Sequence, residues 1–116
     1  SLENIMNRIV INLNRIIDHN RYPTLESENG SKRDRPLGIG IQDLAKVYMK
    51  LKIPYFSPAA KKLNIAITAA MLYYGLKASN ILAKKYGPYA TFKASPASKG
   101  ELSFDLWGVK PVCLDC

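Results

Sequence analysis

The sequence predicts a mostly helical α/β chain, with three helices at about 2–20, 42–52 and 58–86 and one clear strand at about 37–42. Two observations carry this expectation. Apolar residues recur at three- and four-residue steps over three stretches, the period of an amphipathic helix. Between the first two stretches, large apolar residues alternate with glycines, which is the two-residue period of a strand.

Leu2, Ile5, Met6, Ile9, Leu13, Ile16 and Ile17 form the stripe of the first helix, and Ser1 is placed to cap it. Tyr22-Pro23 stops it, because proline disfavours helical geometry at the residue before it. Residues 26–35 are polar and rich in turn formers, so they read as an exposed loop and as the one stretch where disorder is expected. In the strand that follows, Leu37, Ile39 and Ile41 share one face. Gly38 and Gly40 leave the other face bare, a pattern that marks close approach by another backbone or a ligand. The second helix carries Leu44, Val47, Tyr48 and Leu51 along one side and ends before Pro54.

Ser57-Pro58 is a strong helix start: a capping hydroxyl, then a proline whose missing N–H costs nothing at the first position. Ala60, Leu63, Ile67, Ala70, Tyr74, Ala78 and Ile81 continue from it as one apolar stripe. Tyr86-Gly87-Pro88 closes the helix, with Gly87 free to take a left-handed cap conformation. Gly75 is its one weak interior point, costing about 1 kcal/mol relative to alanine. Beyond Pro88 the chain becomes irregular, broken at Pro96 and Gly100. Leu102, Phe104 and Leu106 alternate there with polar residues, which suggests a short second strand.

The chain has 116 residues, 47% hydrophobic and 22% charged, the make-up of an ordinary globular protein. No uninterrupted apolar run approaches the ~20 residues of a bilayer span. The N-terminus has no signal-peptide layout, so a cytoplasmic location and no membrane partner are expected. Net charge is +8, and residues 44–100 hold ten lysines and no Asp or Glu. Such a stretch attracts phosphates or other anions. The lysines are nevertheless spread along the chain without aromatic interleaving, so no specific nucleic-acid partner is expected.

Two physical features say that residues 1–116 are a single partial domain. A helix of 29 residues extends ~43 Å at ~1.5 Å per residue. A compact body of about 100 residues is only ~34 Å across. One clear strand and one weaker one also fall short of the three or more that make a stable sheet; the alternative is an all-helical domain with an incidental extended segment.

The wording of the sequence then carries a resemblance. Asn12-Leu13-Asn14-Arg15-Ile16-Ile17-Asp18 with Tyr22-Pro23 is similar to a helix-and-exit segment of class I ribonucleotide reductase large (alpha) subunits. Arg35-Pro36-Leu37-Gly38-Ile39-Gly40-Ile41-Gln42 resembles a strand and helix entry of the same family. Tyr73-Tyr74-Gly75, Lys77-Ala78-Ser79 and the run from Leu82 to Tyr89 resemble its long helix and exit. Ser95-Pro96-Ala97-Ser98-Lys99-Gly100 and Asp105-Leu106-Trp107-Gly108-Val109 resemble the stretch after it. The order and spacing match over nearly the whole chain. The resemblance implies an internal segment of a ten-stranded α/β barrel, to which this chain would supply one strand and its flanking helices.

It also implies what the segment lacks. The family reduces ribonucleotides to deoxyribonucleotides for DNA synthesis through a thiyl radical, helped by an Asn, a Glu and a cysteine pair. These groups lie upstream of the matched segment, and the substrate-phosphate loop lies downstream. No catalytic, cofactor-binding or metal-binding residue is therefore carried onto this chain, and whether it is itself an enzyme is left open. The family's ATP and dNTP effectors and the radical from its small subunit belong to the parent. The partners implied are the rest of the large subunit and the small subunit.

The chain departs from the family pattern at Asp43 and Lys46, at Ala70, at Lys77, and at Cys113 to Cys116. Several of these changes remove acids. They favour an alternative reading as a non-catalytic basic helical module that binds an anionic partner or the reductase itself.

Five side chains invite a site. Cys113 and Cys116 form a C-x-x-C, either a redox pair or half of a zinc site, or a chance feature. His19 is the only histidine, and at a helix end it suits the dipole better than catalysis. Tyr73 and Tyr74 evoke a radical-carrying tyrosine pair, but Tyr74 lies on the apolar stripe and reads as core.

Overall fold

The computed structural model describes residues 1–112, so Cys113 and Cys116 lie outside the described residues. Five helices follow one another: α1 (Leu2–His19), α2 (Leu25–Asp34), α3 (Leu44–Lys50), α4 (Pro58–Tyr86) and α5 (Ser103–Leu106). Two 3-10 turns, Phe92–Ala94 and Pro96–Lys99, separate α4 from α5.

The ends of the long helices follow from local chemistry. The Ser1 hydroxyl accepts the Asn4 N–H at 3.4 Å and opens α1. The Ser57 hydroxyl accepts the Ala60 N–H at 3.2 Å, with Pro58 in the first helical position. At the far end Gly87 takes φ 87° and ψ 161°. This is not the left-handed cap the sequence suggests, but an extended region open essentially to glycine alone.

α1 packs across α4, and this crossing is the chain's main tertiary contact. Met6, Val10 and Ile17 of α1 and Ala78 of α4 are buried, while Tyr48 and Ala60 are buried between α3 and the start of α4. Glu3 meets Lys77 at 2.7 Å on the rim of the crossing. The stripe read for α4 faces inward, with Ala60 and Ala78 buried and Leu63, Ile67, Ala70 and Tyr74 half-buried; Ile81 is exposed.

Three expectations are corrected. The α/β class fails, because no strand, sheet or barrel is present among the described residues. Residues 37–42 carry no regular secondary structure and no backbone partner reaches them, and a segment becomes a strand only when a neighbour pairs its N–H and C=O groups. Residues 103–106 are helical, not extended: Leu102 caps α5, and the Asp105 carboxylate accepts the Leu102 N–H at 2.8 Å. Residues 26–35 are mostly helix α2 rather than a loop. Thr24 caps it through the Ser27 N–H at 3.2 Å, and Glu28 pairs with Lys32 one turn on at 2.6 Å. Acids in its first turn and bases in its last also suit the helix dipole.

The shape agrees with the expectation from α4. The molecule measures 49 × 32 × 23 Å with a radius of gyration of 16.9 Å, against about 13 Å for a compact chain of this length. α4 runs unbroken through Gly75. By length and composition it is also apolar enough to cross a membrane, which counting only uninterrupted apolar runs missed.

Gly75 sits where α1 crosses, and a Cβ there would stand 3.4 Å from Met6 Cε. One methyl fits at that distance, so Gly75→Ala should stabilise the chain by up to about 1 kcal/mol through helix propensity. Gly75→Leu should destabilise it by displacing Met6. Urea unfolding of the two variants checks both signs.

Candidate functional site

The feature that organises the surface is a clamp built on Arg35. Arg35 ends α2 in the left-handed conformation, φ 46° and ψ 51°, which turns its side chain back onto α1. Its Nε donates to Asn14 Oδ1 at 2.9 Å and its Nη2 to the Asn14 carbonyl at 2.9 Å. Nη1 and Nη2 meet the two Asp18 oxygens at 2.8 and 2.9 Å. The planar guanidinium thus uses its fork on one carboxylate, the geometry in which arginine binds most firmly.

The electrostatics follow from these contacts. The Arg35 hydrogen bonds hold the Asp18 carboxyl below its usual range, against a smaller opposing effect of burial. The same bonds raise Arg35. Nearby, the Asp34 carboxylate accepts from Arg33 at 2.9 Å and from the Thr91 hydroxyl at 2.9 Å, tying α2 to the chain after α4. Tyr22 donates to the Ile17 carbonyl at 2.7 Å and closes the exit of α1.

By fixing Arg35, the clamp aims residues 36–42 along the α1–α4 pair. The result is an open apolar cleft of about 720 Å³ lined by Leu37, Ile39, Ile41, Leu44, Leu72 and Leu76, with Met6 and Val10 at its base. Arg35 is the only charged residue on its lining, and Asp18 neutralises it. That matters because an unpaired cation under an apolar cover costs several kcal/mol. A cleft whose one charge is already matched is ready to be covered. A second cleft of about 680 Å³ lies between the ends of α1 and α4, with Arg15, Lys32, Arg35 and Lys85 against Asp18 on its walls.

The residues singled out by sequence are scattered. His19 is exposed in the last turn of α1. Tyr73 is exposed and Tyr74 half-buried, their rings edge-on at 5.3 Å. Gly38 and Gly40 have no atom within 4 Å of where a Cβ would stand, so nothing within the described residues makes the close approach expected of them. No group of three or more His, Cys, Asp or Glu suited to a metal occurs among the described residues. The clamp is not legible in the sequence: Asn14 and Asp18 stand in one string and Arg35 in another, and nothing in a spacing of 17 or 21 residues says that they meet.

Comparison with known proteins accounts for this pattern. The family model described as "Ribonucleotide reductase, barrel domain" matches residues 1–113. The chain belongs to this family. It is 46% identical over 113 residues to a ribonucleoside-diphosphate reductase large chain of Neurospora crassa, covering 97% of this chain and 12% of that protein. A large chain from Cryptosporidium parvum is 51% identical over 110 residues, 95% of this chain and 14% of its own length. A large subunit from Dictyostelium discoideum is 50% identical over 103 residues, 89% of this chain and 12% of its own. The chain therefore spans about one-eighth of the reductase large subunits it matches. The family description speaks of a barrel domain, whereas the described residues form a helical unit.

The clamp generates a test. A carboxyl held below its ordinary pKa adds stability above the unfolded value, about 3.9, and loses it as pH falls through the lower folded value. Asp18→Asn should cost about 0.5–1 kcal/mol near neutrality, the range for a half-exposed pair. It should also remove this acid-dependent contribution, so parent and variant converge below the carboxylate range. Thermal melts across pH check both.

Proposed function

We propose that this chain acts as a structural segment of a ribonucleoside-diphosphate reductase large subunit, the enzyme that supplies deoxyribonucleotides for DNA synthesis. The carrying observation is the 46% identity over 97% of this chain to a relative of which it spans 12%. On this reading the reaction belongs to residues outside the chain, as do the ATP and dNTP effector sites and the contact with the radical-generating small subunit. The working location is the cytoplasm.

The open apolar surface supports the reading. Ile65, Leu72, Tyr73, Leu76 and Ile81 of α4 are all exposed, although the helix is apolar nearly all round. Such a helix belongs inside a larger protein or inside a membrane. Family membership supports the larger protein, and on this reading the neutralised cleft is where the remaining large-subunit polypeptide packs. The occupant is apolar, since an unpaired charge placed against Leu37, Ile39 and Leu76 would be left without a partner.

The isolated chain is expected to reduce no ribonucleotide. Radical chemistry needs its thiol, its acid–base groups and its phosphate cradle in one geometry, and a misplacement of about 1 Å already costs ~100-fold. The purified chain is assayed for deoxynucleotide formation with a thiol reductant and the radical-generating subunit. Flanking fragments of a related large subunit are then added. Turnover only after their addition supports the segment reading, and turnover by the 116-residue chain alone sinks it.

A further inference from the structure

The connection between α3 and α4 carries a feature that the reductase reading does not use. Tyr48, Tyr55 and Phe56 form a chain of edge-to-face contacts, with ring centroids 5.9 and 5.1 Å apart. Its inner end is anchored: Tyr48 is buried, and its hydroxyl donates to the Ala60 carbonyl at 3.4 Å. Its outer end is bare, with Tyr55 64% and Phe56 97% exposed. Five lysines lie close to these rings along the chain: Lys46 and Lys50 on α3, Lys52 in the connection, and Lys61 and Lys62 at the start of α4. All five are exposed, and none pairs with a carboxylate among the described residues. The sequence supplies no Asp or Glu between residues 44 and 100 that could do so.

Aromatic rings held from behind and bare in front, set among unpaired cations, make a platform on which bases stack while lysines neutralise phosphates. None of these aromatic or lysine residues lines either cleft. Its cations are all lysines, which meet phosphate as point charges. A surface built to grip carboxylates would favour the arginine fork. We propose that the α3–α4 connection binds single-stranded nucleic acid without sequence preference, with bases stacking on Phe56 and Tyr55 and the five lysines meeting the phosphates. This does not depend on the reductase reading. It departs from the expectation that the lysines run without aromatic interleaving, because Tyr48, Tyr55 and Phe56 alternate with lysines between residues 46 and 62.

The test is fluorescence anisotropy of the chain with a labelled oligothymidylate of about 20 nucleotides over a range of salt. Binding should weaken as salt rises. Phe56→Ala combined with Tyr55→Ala should cut affinity about tenfold and leave the salt slope unchanged, as loss of stacking does. Lys61→Glu with Lys62→Glu should lower affinity and flatten the slope. Lys84→Glu with Lys85→Glu changes the charge equally at the other end of α4 and should have a smaller effect. In the unaltered chain, an oligonucleotide carrying photoreactive iodouracil should crosslink to Tyr55 or Phe56, a readout that needs no variant to fold. The proposal is overturned by no measurable binding, by indifference to the aromatic pair, or by equal losses from both lysine pairs. Crosslinks confined to other residues would also overturn it. So would tighter binding to polyglutamate or to phosphatidylserine vesicles at matched charge, which would assign the surface to an acidic protein or a membrane.

Discussion

Met6, Val10 and Ile17 on α1 and Ala78 on α4 are four of the six buried apolar side chains among the described residues, and all four lie where α1 crosses α4. The other two, Tyr48 and Ala60, fasten α3 to the start of the same long helix. The fold is therefore one crossing with attachments. At the crossing Gly75 faces the end of Met6, with room for a methyl but not for a larger side chain. α2 and the segment after it are then held to the crossing by polar contacts, Arg35 on Asn14 and Asp18 and Thr91 on Asp34, rather than by buried apolar area.

Those attachments explain which parts of the fold could be read from the sequence. The bounds of α4 could be read directly, because Ser57-Pro58 and Gly87-Pro88 act on neighbouring backbone groups whatever the rest of the chain does. Helix α2 escaped because it has no apolar stripe; Thr24, the Glu28–Lys32 pair and its end charges carry it instead. Val10 was legible: it is among the most buried residues and stands four positions after Met6 and three before Leu13, on the same helical steps.

The segment 36–42 failed for a deeper reason. Alternation of large apolar residues with glycine describes what one strand offers, not what it pairs with, and pairing is a property of two segments. Among the described residues no second segment reaches it. The candidate site was illegible on the same grounds: Arg35, Asn14 and Asp18 stand in recognisable strings, but their meeting depends on the left-handed turn at Arg35 and on where α2 ends.

Charge and apolar surface are kept apart in this chain, and that separation bears on both functional readings. Losing acids leaves the chain at +8, which would oppose burial if the cations lined the surface to be covered. They do not. The apolar cleft holds one charge, Arg35, and Asp18 already matches it, so covering the cleft strands no cation. The unpaired lysines of α3 and the start of α4 stand instead beside Tyr55 and Phe56, outside that cleft. An apolar polypeptide and an anionic strand would therefore meet different faces, and occupancy of one leaves the other open. The two readings are physically compatible because the cleft and the lysine-bearing segment have no charged residue in common.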